Sequence, residues 1–297
     1  MISKNTLTLI IISLLTIFFT GCSSEDEEIN GTLSLSVSDG PIDNATEVVV
    51  VFSAIELKPK EGAPYTITFS EARSINLLGL QNGESAPLLQ NESLEAGDYN
   101  WMRLLVDANE GETDSYITLD DGTTHSLYIP SGSETGLKIN RSFTIAVGES
   151  VNFMIDFDLR KSVLAPNNQS DGYKLKPVLR VTDLTEVGSI TGFVDASLVS
   201  DESCTEGLAI YAYIGADVTP DDEGSATSPL TTAIPVYESA NDRFNYTLSF
   251  LSAGDYTVSV TCDADLDSAD IDDSEWGVIE SLNGTVIVDQ ITELNFE

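Results

Sequence analysis

The chain has 297 residues, with 13 lysines and arginines against 49 aspartates and glutamates, a formal net charge of −36 at pH 7. A field of this sign repels nucleic acids and anionic lipid headgroups, so neither is expected as a direct partner. It suits a well-solvated protein, a protein that binds cations, or both. The length is sufficient for two domains that each bury a hydrophobic core.

The first segment of the chain has the pattern of an export signal that ends in an attachment point. Lys4 precedes an apolar run over residues 7–19, which is too short to span a membrane. Two small residues then lead to Cys22. This pattern resembles a bacterial lipobox, in which the cysteine is acylated with chains such as palmitate, although Phe19 replaces the usual leucine. The alternative is an ordinary signal peptide followed by a chance cysteine.

We therefore predict a lipoprotein signal peptide over residues 1–21 and an acidic tether over residues 22–30. At roughly 0.8 kcal/mol per buried methylene, several acyl chains on Cys22 would hold the protein at a membrane almost permanently. Ser23 resembles the residue found after the cysteine in lipoproteins sorted to the outer membrane, which is the predicted location. The acidic run over residues 25–28 resembles a surface-export signal, or is a solvated spacer. The sequence is consistent with a protein on the periplasmic face of the outer membrane and with one on the cell surface.

Nearly every segment from residue 31 to residue 186 has the pattern of a β-strand. Residues 31–38 alternate with a period of two, and residues 47–57 form a β-branched run that suits a strand buried on both faces. A short turn is predicted at Leu77–Leu80. The predicted strands in chain order are 31–38, 47–57, 65–69, 74–78, 100–107, 116–119, 125–129, 142–147, 151–158 and 173–182. Many short strands separated by polar turns predict an antiparallel sandwich or barrel.

A second unit is predicted over residues 187–297, after a short joint at residues 183–187. About seven strands in this length are typical of a small immunoglobulin-like or transthyretin-like sandwich. They are 189–198, 209–214, 233–237, 243–251, 256–262, 280–288 and 292–296. The predicted fold class is therefore all-β, with two antiparallel β-sandwich domains at 31–186 and 187–297.

Two cysteines remain in the second unit, Cys204 and Cys262. A single remaining pair in an exported protein predicts a disulfide bond. A zinc site is disfavoured, because His125 is the only histidine and lies in the first unit.

The two units share a short motif. Residues 94–99 (Leu-Glu-Ala-Gly-Asp-Tyr) and residues 251–256 (Leu-Ser-Ala-Gly-Asp-Tyr) each precede a predicted strand. Glycine and aspartate favour a tight turn, and the tyrosine is expected to begin the next strand with its ring toward the core. Duplication of one ancestral unit and shared turn chemistry are both consistent with the repeat.

The first unit resembles the bacterial lipoprotein family known as domain of unknown function 4382. The matching stretches are residues 31–43, 51–56, 75–78, 81–83, 96–99, 103–104, 129–132, 136–138, 156–162 and 175–180. The resemblance implies a secreted or lipid-anchored protein and no assigned reaction. The second unit resembles a carboxypeptidase-regulatory or Cna-B-like sandwich through residues 188–192 and 253–256, which implies a stalk or a binding support.

The chain offers one weak candidate for catalysis. Asp156 and Asp158 lie two residues apart in a predicted strand, which would place both carboxylates on one face. Near a cluster of basic residues they would serve a hydrolase acting on polysaccharide or ester, or a structural ion-pair network. His125 is expected to be a surface residue. The protein is therefore predicted not to be an enzyme, with the hydrolase as the alternative.

A stronger signal is an acidic loop in the second unit, in which carboxylates recur at short intervals. Oxygen ligands in such a pattern suit Ca²⁺, which is the one cofactor that the sequence suggests. The predicted ligands are Asp263, Asp265, Asp267, Asp270 and Asp272. An EF-hand is rejected, because Ser268 replaces the turn glycine and flanking helices are missing. A solvated acidic loop without calcium is the alternative.

The sequence thus predicts a lipid-anchored, non-enzymatic binding or structural module of the cell envelope. The expected partners are the membrane through the anchor and a glycan, another envelope protein or an attachment surface. Trp101 and Trp276 are the only tryptophans. Trp101 is expected in the core, and Trp276, which follows the acidic loop, is expected beside a bound cation.

Overall fold

The computed structural model describes residues 29–42, 44–130, 136–166, 172–176, 178–200, 204–269 and 271–297. The described part of the chain is built mainly of strands, in agreement with the predicted all-β fold class. The strands in chain order are β1 (Asn30–Asp39), β2 (Ala45–Pro59), β3 (Tyr65–Asn76), β4 (Ala86–Glu95), β5 (Gly97–Val106), β6 (Tyr116–Leu119), β7 (Thr124–Tyr128), β8 (Leu137–Ile139), β9 (Phe143–Ile145), β10 (Ser150–Phe157), β11 (Val163–Leu164), β12 (Tyr173–Leu175), β13 (Leu179–Asp183), β14 (Val187–Asp195), β15 (Ala209–Ile214), β16 (Thr231–Ala233), β17 (Val236–Glu238), β18 (Arg243–Ser252), β19 (Gly254–Thr261), β20 (Glu280–Val286) and β21 (Ile291–Glu293).

Two sheets form the first half of the chain. The smaller has the order β13-β10-β1-β4, so the first strand lies inside it. The larger has nine strands along β11-β12-β7-β6-β2-β5-β8, with β3 on β2 and β9 on β5. The inward faces of the two sheets share one hydrophobic cluster, in which Leu33, Phe52 and Phe157 are fully buried. This half is therefore a two-sheet β-sandwich.

The second half contains two four-stranded sheets, β17-β18-β14-β21 and β16-β15-β19-β20. A separate hydrophobic cluster lies between them and includes Ile190, Val258 and Phe296, each with no exposed surface. The eight strands agree with the predicted sandwich. The predicted strand over 233–237 is divided into β16 and β17, because Pro235 has no N–H to donate to a ladder.

Three strand pairs are parallel, which the predicted antiparallel arrangement did not include. β1 pairs with β10, β7 with β12, and β14 with β21. The β1–β10 and β14–β21 pairs both involve the first strand of their sandwich. The remaining pairs are antiparallel.

The helices are short. α1 (Leu159–Ser162) and α2 (Cys204–Gly207) have four residues each. Turns of 3₁₀ helix lie at Leu77–Leu80, as predicted, and at Leu184–Glu186 and Ala196–Val199. Among the described residues, none of the helices has the length and hydrophobicity that crossing a membrane requires.

The shared motif has the same geometry in both halves. Tyr99 and Tyr256 are each 3% exposed, so both rings face a core as predicted. The Tyr99 hydroxyl donates to the carbonyl oxygen of Glu95 at 2.8 Å, and the Tyr256 hydroxyl donates to that of Ser252 at 2.9 Å. Each tyrosine therefore closes the turn that precedes it.

The predicted disulfide between Cys204 and Cys262 is present, with the two Cα atoms 4.5 Å apart. It joins α2 to the residue that follows β19. The acidic loop begins directly after this bridge, so one end of the loop is covalently held against the rest of the sandwich.

Candidate functional site

The strongest concentration of buried charge lies where the two halves of the chain meet. α1 presents Arg160 from the first half, and Asp158 caps this helix by accepting the backbone N–H of Lys161 at 3.1 Å. Arg160 is 9% exposed. Its Nη1 lies 3.1 Å from the hydroxyl oxygen of Tyr211 and 3.6 Å from Oε1 of Glu223. A cation of the first half is thus inserted among acidic groups of the second.

Tyr211 connects this arginine to the acidic loop. Its hydroxyl donates to Oδ2 of Asp267 at 2.5 Å, and Trp276 stacks on its ring with centroids 5.4 Å apart. The backbone N–H of Glu223 donates to Oδ1 of Asp267 at 3.0 Å. Trp276 follows the acidic loop and covers the ring of the tyrosine.

Three carboxylates converge behind this layer. Oxygen atoms of Asp222, Asp267 and Asp273 lie within 4.8 Å of one another, and Asp222 is fully buried. Asp222 accepts the backbone N–H groups of Gly224 at 2.7 Å and Asp273 at 3.0 Å. A further group of three combines Asp222 with two exposed or half-buried acids, Asp221 and Asp272. Hard oxygen ligands in this number suit Ca²⁺ better than a transition metal.

Burial sets the electrostatics of the site. It raises the pKa of the Glu223 carboxyl to about 7, while Arg160 acts in the opposite direction. It also raises the pKa of Asp267, against the lowering effect of the Tyr211 hydrogen bond. The Tyr211 phenol has a raised pKa for the same reason and remains protonated at neutral pH. Negative charge is therefore costly here unless a cation lies close.

The structure brings together only part of the predicted ligand set. Asp267 and Asp272 belong to the groups just described. Asp263 instead accepts the backbone N–H of Gly277 at 3.0 Å, and Asp265 lies against Gly207 of α2. Asp270 lies outside the described residues, as does Cys22.

A second acidic segment, which is not among the predicted ligands, contributes to the site. Asp221, Asp222 and Glu223 precede the loop by some forty residues and meet it through hydrogen bonds of Asp222 and Glu223 with Asp273 and Asp267. Three consecutive acids were the available signal. Arg160 gave no comparable signal, because nothing in the sequence indicates which basic residue reaches the second half.

The two aspartates of the alternative hydrolase have separate structural contacts. Asp156 lies in β10, where it accepts the Ser38 hydroxyl at 2.8 Å and Nη2 of Arg180 at 2.7 Å. Asp158 lies beyond the end of the strand and caps α1. The prediction that both carboxylates share one strand face is therefore wrong, because the chain turns into α1 after Phe157.

A cavity of about 230 Å³ lies between the halves and is lined by Asp156, Asp158, Arg180 and Glu223. Each of its three acids has a basic partner within ion-pair distance, namely Arg180, Lys161 and Arg160. Arg180 also donates to the carbonyl oxygen of Phe250 in β18 at 3.1 Å. Among these groups, Arg160 and Arg180 reach across to the second half, whereas the Asp156 and Asp158 pairs lie within the first.

The fold and this junction define a two-part β-sandwich protein. Residues 30–177 match the family model described as domain of unknown function (DUF4382), and this part of the chain belongs to that family. No curated protein matches the sequence.

Several solved structures share a distant likeness with the chain. A leucine-rich repeat protein from Bacteroides thetaiotaomicron is 11% identical over 90% of this chain and 26% of its own, with a TM-score of 0.22. The minor pilin GBS52 from Streptococcus agalactiae is 12% identical over 89% of this chain and 94% of its own (TM-score 0.19). A putative adhesin from Bacteroides ovatus is 12% identical over 89% and 86% (TM-score 0.23). The chain spans only about a quarter of the first of these proteins. Because these TM-scores are so low, the fold of this chain is defined by its own sheets and not by these likenesses.

Proposed function

We propose that the protein is a lipid-anchored, non-enzymatic module of the outer membrane that presents a binding or structural surface. The observation that carries this proposal is that charged side chains at the junction bond one half of the chain to the other. Arg160 and Arg180 both extend from the first half to bond groups of the second. Groups engaged in this way stabilise one relative placement of the two sandwiches, which suits a body that presents a surface at a fixed distance from its anchor.

The anchor is supported by the sequence pattern that ends at Cys22. The first strand begins at Asn30, only a few residues beyond this cysteine, and lies inside the sheet β13-β10-β1-β4. A load applied through the anchor would therefore act on a strand that is paired along both edges. This placement is suited to a tethered protein, because an edge strand would have only one ladder to resist detachment.

The anchor is tested by isolating the protein from its native membrane and measuring its mass. We expect a mature N-terminus at Cys22 that carries acyl chains, and co-fractionation with the outer membrane. Cys22→Ala should be recovered without lipid and outside the membrane fraction, whereas Ser24→Ala should behave as the unaltered protein. An unacylated Cys22 in the native material would refute the proposal. Protease treatment of intact and permeabilised cells then distinguishes the cell surface from the periplasmic face.

The alternative function, a hydrolase that uses Asp156 and Asp158 in the cavity between the halves, is tested by a turnover assay. Polysaccharide and ester substrates are incubated with the full chain and with Asp156→Asn and Asp158→Asn. We expect no turnover by any of the three proteins. Turnover by the unaltered protein that either substitution abolishes would replace the non-enzymatic proposal.

Calcium belongs to the proposed function as a structural ligand of the acidic loop. Its support is the convergence of Asp222, Asp267 and Asp273, of which Asp222 is fully buried. A bound cation would relieve the mutual repulsion of these carboxylates and fix the loop beside the Cys204–Cys262 bridge.

A further inference from the structure

The outer face of the nine-stranded sheet presents a tryptophan between basic side chains. In β5 the fully buried Met102 and Leu104 alternate with Trp101 and Arg103, so the latter two point away from the core. Trp101 is half-buried on this outer face, and the prediction that it lies in the core is wrong. Burial alternates along the strand, and Trp101 takes an outward position next to Met102.

The neighbouring strands add basic residues on both sides. Lys138 of β8 is the direct cross-strand partner of Arg103, and Lys58 of β2 is the partner of Trp101. The Lys138 Nζ lies 4.7 Å from the Trp101 ring centroid, and the Arg103 Cζ lies 5.0 Å from it. We call Trp101, Arg103, Lys138 and Lys58 the basic platform.

One acidic residue lies beside the platform, namely Glu56, whose Oε2 is 2.8 Å from Nη1 of Arg103. Lys138 is exposed and, among the described residues, forms no ion pair. The Nε of Arg103 is buried and has no hydrogen-bond partner in the described part of the chain. Like charges directly opposite one another destabilise a sheet. The Arg103–Lys138 pair thus retains positive charge that the fold itself does not require.

The positive charge of the platform contrasts with the acidic character of the rest of the molecule. The chain has 13 basic residues against 49 acidic ones, and three of the 13 lie on this platform. Lys58 already donates to the carbonyl oxygens of Pro59 and Gly62, both at 2.7 Å, so Lys138 and Arg103 are the two that face a ligand. A groove of about 260 Å³ next to Lys138 is lined by a further basic residue, Arg141, and by Asn140. Positive charge with donor groups and a flat indole is therefore concentrated in one place on an acidic protein.

We propose that the basic platform binds a polysaccharide that carries carboxylate groups. A guanidinium and an ammonium group form charge-assisted hydrogen bonds with carboxylates, and the indole holds both cations over its ring at the surface of the sheet. The repulsion from the net negative charge is screened beyond about 8 Å at physiological salt, whereas contact pairs are screened much less. This inference rests on the proposed binding function and names its ligand class.

The test uses polygalacturonate as the probe and the full-length protein in detergent. Trp276→Phe keeps the stack on Tyr211 and leaves Trp101 as the only tryptophan, so its fluorescence reports directly from the platform. We expect saturable quenching by polygalacturonate that weakens as salt rises, and no change with dextran or with methyl-esterified polygalacturonate.

Substitutions distinguish the platform from general charge effects. Lys138→Gln should weaken binding measured by calorimetry at least tenfold, and Trp101→Ala should abolish it. Lys176→Gln removes the same charge from another exposed lysine and should change the affinity less than twofold. The inference is overturned by an absence of binding, by equal binding of the esterified polymer, or by equal losses in Lys138→Gln and Lys176→Gln. If acylated Cys22 is found and polygalacturonate does not bind, the proposed function stands and only this inference fails.

Discussion

The guanidinium of Arg160 and the carboxylate of Glu223 lie 3.6 Å apart, although they belong to different halves of the chain. Their side chains are 5% and 2% exposed. Oε2 of Glu223 is buried and makes no hydrogen bond within the described residues. Because an isolated charge is costly in such surroundings, each residue depends on the other. The packing of the two sandwiches is therefore coupled to one buried ion pair.

Removal of the arginine should be strongly destabilising. Arg160→Leu leaves Glu223 buried without its cation, and losses of about 3–5 kcal/mol in the free energy of unfolding are typical of such changes. Chemical denaturation followed by circular dichroism measures the loss. The matched control is Arg243→Leu, which breaks the more exposed pair with Glu238 and should cost about 1 kcal/mol or less.

The double variant Arg160→Leu/Glu223→Gln separates the loss of the pair from the loss of packing. It should recover a large part of the stability, because no charge is then left buried alone. Equal destabilisation by Arg160→Leu and Arg243→Leu would contradict the role assigned to the junction.

The Cys204–Cys262 disulfide should stabilise the second sandwich in particular. The two residues are 58 positions apart, and closing a loop of this size removes about 4 kcal/mol of chain entropy from the unfolded state in the entropic model. We expect the double variant Cys204→Ala/Cys262→Ala to unfold at lower denaturant concentration. Reducing agent should lower the stability of the unaltered protein and leave that of the double variant unchanged. A response of the double variant to reductant would refute this assignment.

Much of the fold is predictable because strand patterns are local. The alternation of residues 31–38 and the β-branched run after Glu47 give the positions of β1 and β2, and the structure confirms both. β4 was missed, since Ala86–Glu95 contains polar residues at adjacent positions and has no clear alternation. The parallel pairing of β1 with β10 depends on which distant strands meet, and a local pattern carries no information about that.

The candidate site was predicted less completely for the same reason. The acidic loop was recognisable because its carboxylates are close in sequence. Asp222 and Arg160 reach it from other segments, the latter from the other half of the chain. The outward position of Trp101 follows from burial alternating along β5, in which Met102 and Leu104 take the inward positions.

Gly192 is required by the parallel pair β14–β21. A Cβ atom at this position would lie 1.6 Å from the carbonyl oxygen of Leu294. That oxygen accepts the Tyr246 hydroxyl at 2.8 Å, and the Leu294 N–H donates to the carbonyl oxygen of Thr191 at 2.9 Å, so Leu294 cannot move without breaking these bonds. Gly192→Ala should therefore destabilise the protein by about 3 kcal/mol or more, at the upper end of typical overpacking costs. Gly79→Ala is the control, because no atom lies within 4 Å of its added Cβ. Thermal unfolding compares the two, and equal melting temperatures would contradict the prediction.

Calcium should raise the melting temperature if the acidic loop binds it. At a free concentration one hundred times the dissociation constant, a ligand specific for the folded state adds about 2.7 kcal/mol. Asp273→Asn removes one charge yet keeps an oxygen that accepts the Ser268 N–H, so it should abolish the calcium response with little change in its absence. Asp114→Asn makes the same change at an exposed position of the first half and should retain the full response. Calorimetric titration, with chelator to reverse the effect, gives the affinity. An unaltered protein that shows neither heat of binding nor a shift in melting temperature at millimolar Ca²⁺ would leave Asp222, Asp267 and Asp273 as a structural cluster.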